Sequence, residues 1–419
     1  MDVASHSPQA GTARPGLERS LTLVHATLYG LGVTIGAGIY VLVGAAAASA
    51  GMQAPLAFLT AAFLMALSAA SFAELAGRLP VAAGEAAYVR AAFGSRVLAL
   101  AVGLLVIGIA IVSAAAISIG SAGYISVFIA LPLPVLVTAV VVVMGATAAW
   151  GVKQSVIFAG LMTVVEIGGL LLLIGAALVS DAPVISRLPE IAPSAVNPVT
   201  IAGLVSALLL AVFAFIGFEG LANIAEEVRS PSRTLPRAIF LTLVIATLLY
   251  VSVMWVALVA VGPLELARSQ APLTLVFERL TGASPWSMSL IAVVATLNGI
   301  IVQIIMASRV LYGLASQADL PKVFAKVHHR TRTPLLATAS VSGLILALAL
   351  VVPLHALAEV TARLTLIVFA AVNISLIAIK RRDPSFRSVG YVAPFWTPWG
   401  GAAACILLLA LDLWHLLST

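Results

Sequence analysis

The sequence predicts an all-α polytopic membrane protein of about 11 transmembrane helices, arranged as two five-helix groups of opposite orientation followed by one additional helix. Three observations carry this reading. Of 419 residues, 62% are hydrophobic and 9% are charged, against roughly a quarter charged in a soluble domain. Several uncharged runs exceed the ~20 residues that cross a bilayer as a helix, and their unbroken length excludes a closed barrel of short alternating strands. Finally, two of the apolar runs carry glycines near their centres, at corresponding places in the two halves of the chain.

Residues 1–20, "MDVASHSPQAGTARPGLERS", are polar, contain Pro and Gly, and lack the charged-then-apolar pattern of a cleaved signal peptide. They read as a cytoplasmic tail. The uncharged run Ser20–Ala73 is too long for one span and divides near "AGMQAP" (50–55), giving span 1 (about 21–49) and span 2 (about 54–77). The run Val97–Val152 divides at "LPLP" (131–134) into span 3 (about 96–122) and span 4 (about 133–150). Spans 5 to 8 follow at about 154–179, 199–228, 235–261 and 285–316, and spans 9 to 11 at about 335–353, 356–380 and 395–417. The first five-helix repeat is thus expected over 21–182 and the second, inverted one over 197–382, with a loop and the extra helix in 383–419.

The net charge of +6 does not point to nucleic acid; its distribution is what informs. With the N-terminus in the cytoplasm, Arg187, Arg268, Arg279 and Arg363 fall outside, and the other 18 of the 22 basic residues fall inside. This is the asymmetry expected of cytoplasmic loops. A missed or invented span would scramble it. An odd number of spans places the C-terminus externally, in the cytoplasmic (inner) membrane of a cell.

In "GVTIGAGIYVLVG" (32–44), Gly32 and Gly36 have the spacing of small residues that let helices approach closely. Taken alone, the stretch reads as packing. In span 6, "FAFIGFEGLANIAEE" (213–227) again places glycines, Gly217 and Gly220, near mid-membrane with the ionisable Glu219 between them. Spans 1 and 6 each open a group of five, and five is odd, so the second group is inverted. Paired interrupted helices in inverted repeats are the pattern of secondary transporters. Backbone groups freed at such breaks are tolerated where they line a site. A helix N-terminus starting near Gly36–Gly38 would face a carboxylate, and the carbonyls ending the other half-helices would face an ammonium group. Both polarities together suit a zwitterion.

These stretches resemble the motifs of the amino acid–polyamine–organocation (APC) superfamily. "GVTIGAGIYVLVG" is similar to its helix-1 motif, and "FAFIGFEGLANIAEEVRSPSRTLPRAI" (213–239) to its helix 6 and following loop. "ELAGRLPVAAGEAAYVRAAFG" (74–94) is similar to its stretch between helices 2 and 3, and "ASRVLYGLASQADLPKVFAKV" (307–327) to the inner end of its helix 8. The resemblance implies a LeuT-type fold with helices 1 and 6 interrupted. It also implies a substrate carboxylate on the amides of Gly36, Ala37 and Gly38. The substrate ammonium group would lie on carbonyls matching Thr34 or Ile35 and Phe213 and Ile216, beside Gly217. Phe213 matches the family's aromatic gate better than Phe215 or Phe218. Most members have twelve helices, and eleven are counted here.

A charge at the centre of a span costs about 2.5–3.5 kcal/mol on insertion scales, so such residues are functional candidates. Glu166 sits mid-span in "LMTVVEIGGLLLLI", where some relatives in the resembled family carry a lysine. The reversed sign leaves proton coupling and Na⁺ ligation open, beside a static hydrogen-bonding role. Glu219 reads as a structural tie to freed amides, as a proton-linked group or as a partner for a cationic side chain. Ser113, Asn298 and Gln303 are possible pocket residues, with interhelical hydrogen bonding as the alternative; Asn373 is a weaker candidate, and Asp412 reads as a solvated residue near the outer end. Glu226 or Glu227 is a candidate inner latch, for example to Arg309. One cysteine, Cys405, excludes an intrachain disulfide, and the adjacent His328 and His329 lack metal-ligand spacing. No cofactor and no metal are expected. The expected function is secondary active transport of amino acids by alternating access, with H⁺ as coupling ion and Na⁺ as the alternative. The expected partners are a small-molecule amino acid and membrane lipid, without nucleic acid. An amine or polyamine carrier, or an exchanger, on the same fold is the alternative. A polytopic membrane enzyme is a remote one, because no His, Asp or Ser cluster marks a membrane face.

Overall fold

The computed structural model describes residues 21–79, 84–150, 156–193, 198–225, 227–317, 319–382 and 390–418. The expected N-terminal tail lies outside these residues, as do Lys153, Glu226 and Arg387. The first half contains α1 (Leu23–Ala50), α2 (Ala54–Arg78), the short α3 (Gly84–Phe93), α4 (Arg96–Ile125), α5 (Leu133–Trp150) and α6 (Val156–Val179). The second contains α7 (Pro198–Phe215), continued by a 3-10 segment over Phe218–Ile224, then α8 (Pro231–Ala260), α9 (Pro263–Arg268) and α10 (Pro272–Thr281). It ends with α11 (Trp286–Ser316), α12 (Leu335–Val351), α13 (Leu354–Arg382) and α14 (Trp396–Ser418).

The protein is an all-α, multi-pass membrane protein. Each expected span meets a helix in the same order. Among the described residues nine stretches are long and apolar enough to cross a bilayer, the first of them, Leu23–Arg78, holding both α1 and α2. The two are separated by a 3-10 turn over Gly51–Gln53, where Gly51 takes a φ of +55°. The 17-residue α12 is a shorter apolar helix. The sequence reading passed over α3, α9 and α10. All three are short, and their mixed composition is masked by the spans around them.

The helices differ in how much they are enclosed. In α8 and α13, 61% of the apolar window is buried inside the protein, against 33% in α5 and α6. The outward faces of the peripheral helices carry Val142, Val143, Leu161, Val164, Leu171 and Leu172, all exposed. Such faces meet lipid rather than water. Glu166 belongs to the peripheral α6, yet it is fully buried because it lies on the face turned to α1 and α11.

One structural expectation is corrected. Span 1 is not interrupted: α1 is a continuous α-helix of 28 residues that runs through Gly36, Ala37 and Gly38. No glycine of α1 has a positive φ, and the helix's own carbonyls engage the amides that a break would have freed. The glycines serve approach instead. A Cβ on Gly38 would lie 2.5 Å from Cα and 2.8 Å from the carbonyl oxygen of Ala214, and one on Gly44 would lie 2.7 Å from the Leu266 carbonyl. Real Cβ atoms do not come this close to backbone, so these positions bring α1 against α7 and α9. Span 6 is interrupted as expected. Here α7 ends at Phe215, and Gly217 takes a φ of +137°.

Candidate functional site

The centre of the protein is the crossing of α1 with the break after α7. Gly217 must be a glycine on two counts. Its φ of +137° disfavours side-chain-bearing residues, and a Cβ there would lie 2.7 Å from the backbone N and Cα of Thr34. Around the break the freed backbone groups are partly re-satisfied locally. The amide of Ile216 donates to the Phe213 carbonyl at 3.1 Å, and that of Gly220 to the Gly217 carbonyl at 2.9 Å. The amide of Gly217 donates to Glu219 Oε2 at 2.8 Å. Glu219 therefore bonds a freed amide, as in the structural-tie reading of the sequence. Tyr250 of α8, fully buried, brings its hydroxyl to 2.8 Å from the carbonyl oxygen of Thr34 and 3.1 Å from that of Ala214.

Glu166 sits against the same stretch of α1. A Cβ on Gly36 would lie 3.3 and 3.4 Å from its two carboxylate oxygens, and 3.2 Å from the Ala295 carbonyl. The absence of a side chain at Gly36 lets the carboxylate rest on the helix. Asn298 Nδ2 of α11 donates to Glu166 Oε1 at 3.3 Å. Glu166 Oε2 is buried without a hydrogen-bond partner among the described residues, as is Thr34 Oγ1. An unpaired buried oxygen of a carboxyl group is costly.

Of the remaining residues that the sequence singled out, Ile35, Phe213 and Ile216 are buried in the core; for Ala37 only the backbone is described. Ser113 is buried on α4, and Gln303 on α11 has a buried Oε1 without a partner among the described residues. Asn373 lies elsewhere. It donates to Ser68 and accepts from Ser71, joining α13 to α2. Asp412 is not the solvated residue expected. It is 6% exposed and takes two bonds from Arg363, at 2.6 and 3.1 Å.

A cavity of about 430 Å³ is lined among others by Tyr40, Gly120, Tyr124, Ser206, Gln270 and Glu359. Tyr40 forms the link. It lines the cavity, its hydroxyl donates to the Glu166 carbonyl at 2.7 Å, and its own carbonyl accepts from Tyr124 at 2.6 Å. Towards the mouth, Ser206 of α7 donates to Glu359 Oε1 at 3.1 Å and meets Ser49 of α1 at 3.2 Å. Arg363 then joins Glu359 to Asp412 of α14. These bonds tie α1, α7, α13 and α14 to one another beside the cavity. The sequence reading missed Tyr40, Tyr124, Tyr250 and Glu359. The phenols were legible only as polar tips within apolar runs, with nothing to say which helix faced them.

Two sets of contacts join segments on the opposite side of the break. Leu21 pairs with Val228 in a short parallel bridge, with hydrogen bonds of 3.0 Å to the Glu227 carbonyl and 2.9 Å from the Arg229 amide. Phe72, Tyr88, Phe218 and Phe369 stack edge-to-face with centroids 5.0–6.4 Å apart. Of the two candidate latch residues, Glu226 lies outside the described residues, and among those described no ion pair joins Glu227 to Arg309.

Comparison with known proteins agrees with this architecture. The family described as amino acid permease matches residues 21–414. The branched-chain amino acid permease BcaP of Bacillus subtilis is 29% identical over 399 residues, covering 90% of this chain and 84% of its own. An uncharacterized transporter of Mycobacterium tuberculosis is 32% identical over 398 residues, covering 94% and 86%. The vacuolar cationic amino acid transporter 2 of Arabidopsis thaliana is 30% identical over 391 residues, covering 88% of this chain and 61% of its own. A multi-pass helical chain, with a broken helix and a buried carboxylate at its centre and matched over nearly its whole length, belongs to the amino acid permease family, a family of transporters and not of enzymes.

Proposed function

We propose that this permease is a secondary active transporter that carries amino acids across the cytoplasmic membrane by alternating access, with Glu166 as the proton-linked group. The observation that carries the proposal is the Glu166 carboxylate, buried against Gly36 of α1 with one oxygen unpartnered among the described residues, on a residue whose backbone carbonyl accepts from the cavity-lining Tyr40. Substrate binds where α1 crosses the break in α7. The carbonyl side of that crossing, Thr34 and Phe213–Gly217, receives the ammonium group. The substrate carboxylate requires the amides of Gly36–Gly38, which α1 occupies with its own bonds in this conformation. Binding therefore includes a local unwinding of α1 at its glycines, where the cost of leaving the helix is smallest. The two five-helix repeats move against each other about this point, with the outer cavity and the Leu21–Val228 bridge as the two closures.

Uptake into proteoliposomes tests this, using a panel that spans branched-chain and cationic amino acids, the classes in the relatives' names. An inward proton gradient is expected to drive accumulation, and a Na⁺ gradient of the same size is not. Glu166→Gln is expected to abolish gradient-driven accumulation while sparing exchange of internal for external substrate. Unchanged accumulation in that variant would make Glu166 structural. Accumulation driven by Na⁺ alone would reassign the carboxylate as a cation ligand, and exchange without any gradient dependence in the native chain would remove coupling altogether.

A further inference from the structure

Away from the transport path, α13 and α14 leave an apolar groove of about 580 Å³ between them, lined by Ile374, Ile377, Arg381, Arg382, Trp399 and Ile406 among others. Its floor is hydrocarbon in character. Ile374 and Ile406 stand 41% and 53% exposed on the outer face of a membrane bundle, where the neighbouring medium is acyl chain. Its inner mouth is cationic. Three basic residues, Lys380, Arg381 and Arg382, end α13. Successive residues of a helix point about 100° apart, and here they divide. Lys380 turns inward and is neutralised, donating to Glu74 Oε2 at 2.8 Å and to the Ala393 carbonyl at 2.6 Å. Arg381 and Arg382 line the groove, and neither pairs with a carboxylate among the described residues. The Arg381 guanidinium lies over the Trp399 ring, 4.9 Å from its centroid, which orients it across the mouth. The N-terminal end of the 23-residue α14 brings the positive end of a helix dipole to the same place.

We infer that this groove binds an anionic phospholipid, with one acyl chain along Ile374, Ile377 and Ile406 and the phosphate on Arg381 and Arg382. A free inorganic anion would use only the mouth and leave the apolar floor unfilled. A zwitterionic lipid would fill the floor but carry a cation to two guanidinium groups. The site lies on the half of the membrane that the distribution of basic residues assigns to the cytoplasm, where basic pockets between spans meet anionic headgroups.

The test uses the full chain purified in detergent, with bound lipid counted by native mass spectrometry during titration. The probes are dioleoylphosphatidylglycerol and dioleoylphosphatidylcholine. The anionic lipid is expected to bind about tenfold more tightly. R381Q/R382Q should lose that preference, and R381K/R382K should keep most of it. R330Q/R332Q, in a separate basic loop, should leave it unchanged. Thermal unfolding of each variant shows whether the bundle is intact. Equal affinity for the two lipids overturns the inference. So does an equal loss of preference in R330Q/R332Q, which would make the effect general surface charge. Displacement of the lipid by excess inorganic phosphate would reduce the site to an anion site, and a dimer whose formation excludes lipid would assign the groove to a second copy of the chain.

Discussion

Two glycine-rich stretches face each other at the centre of this permease, and they use glycine for different ends. In "GVTIGAGIYVLVG" every glycine is helical, and its missing side chain admits a neighbour: Ala214 at Gly38, the Glu166 carboxylate at Gly36, and the Leu266 carbonyl at Gly44. In "FAFIGFEGL" Gly217 has left the helix, with a φ of +137°, and its amide is held by a side chain two residues on. The same residue type thus gives close approach in one helix and a break in the other. The sequence difference beside them is Glu219. It supplies a local acceptor for a freed amide, and α1 has no acidic residue. A break costs least where such an acceptor is at hand.

Substitutions can break or sharpen this contrast. The largest effect is expected at Gly217→Val, which meets both the backbone conformation and Thr34. The cost is about 3 kcal/mol or more, and uptake and monodisperse yield on size exclusion should both collapse. Tolerance at this site would mean that the break does not need its positive φ. Next is Gly38→Ala, which has only the packing conflict with the Ala214 backbone. It should lower thermal stability by about 1–3 kcal/mol and retain a folded bundle. Because the nearest atoms are backbone, Ala214→Gly should fail to rescue it. Tyr250→Phe removes a hydroxyl shared by the two segments and should cost about 1 kcal/mol, read as a modest fall in melting temperature with a larger fall in uptake. The smallest change is expected at Gly343→Ala in α12, where nothing lies within 4 Å of an added Cβ. There the gain is about 0.5–1 kcal/mol from helix propensity. If Gly38→Ala behaved like Gly343→Ala, the close-approach account of α1 would fail.

Much of the fold was legible because membrane spans are read from length and charge, both one-dimensional quantities. Span 8 was expected at about 285–316 and α11 runs Trp286–Ser316; the break in span 6 was found from Gly217 and Glu219. The state of α1 was not legible. Whether a glycine bends a helix or lets one pass depends on what lies opposite, and Ala214, Ala295 and Thr163 come from distant parts of the chain. The same limit hid the tyrosines. Tyr40 stood inside the quoted motif, yet its partner, the Glu166 carbonyl, is 126 residues away. Asp412 failed for a related reason: proximity to the end of a span suggests water, and Arg363 of α13 supplied an ion pair instead.

The Tyr250 hydroxyl has one proton and two carbonyl oxygens to offer it to, at 2.8 Å on α1 and 3.1 Å on α7. A phenol donates one bond at a time, so it can serve Thr34 or Ala214 but not both. Exchanging one for the other needs only a small rotation about the C–O bond and a slight slide of the two segments. Whichever carbonyl it serves, a single buried proton holds α1 to α7, and the joint has a second acceptor in reserve.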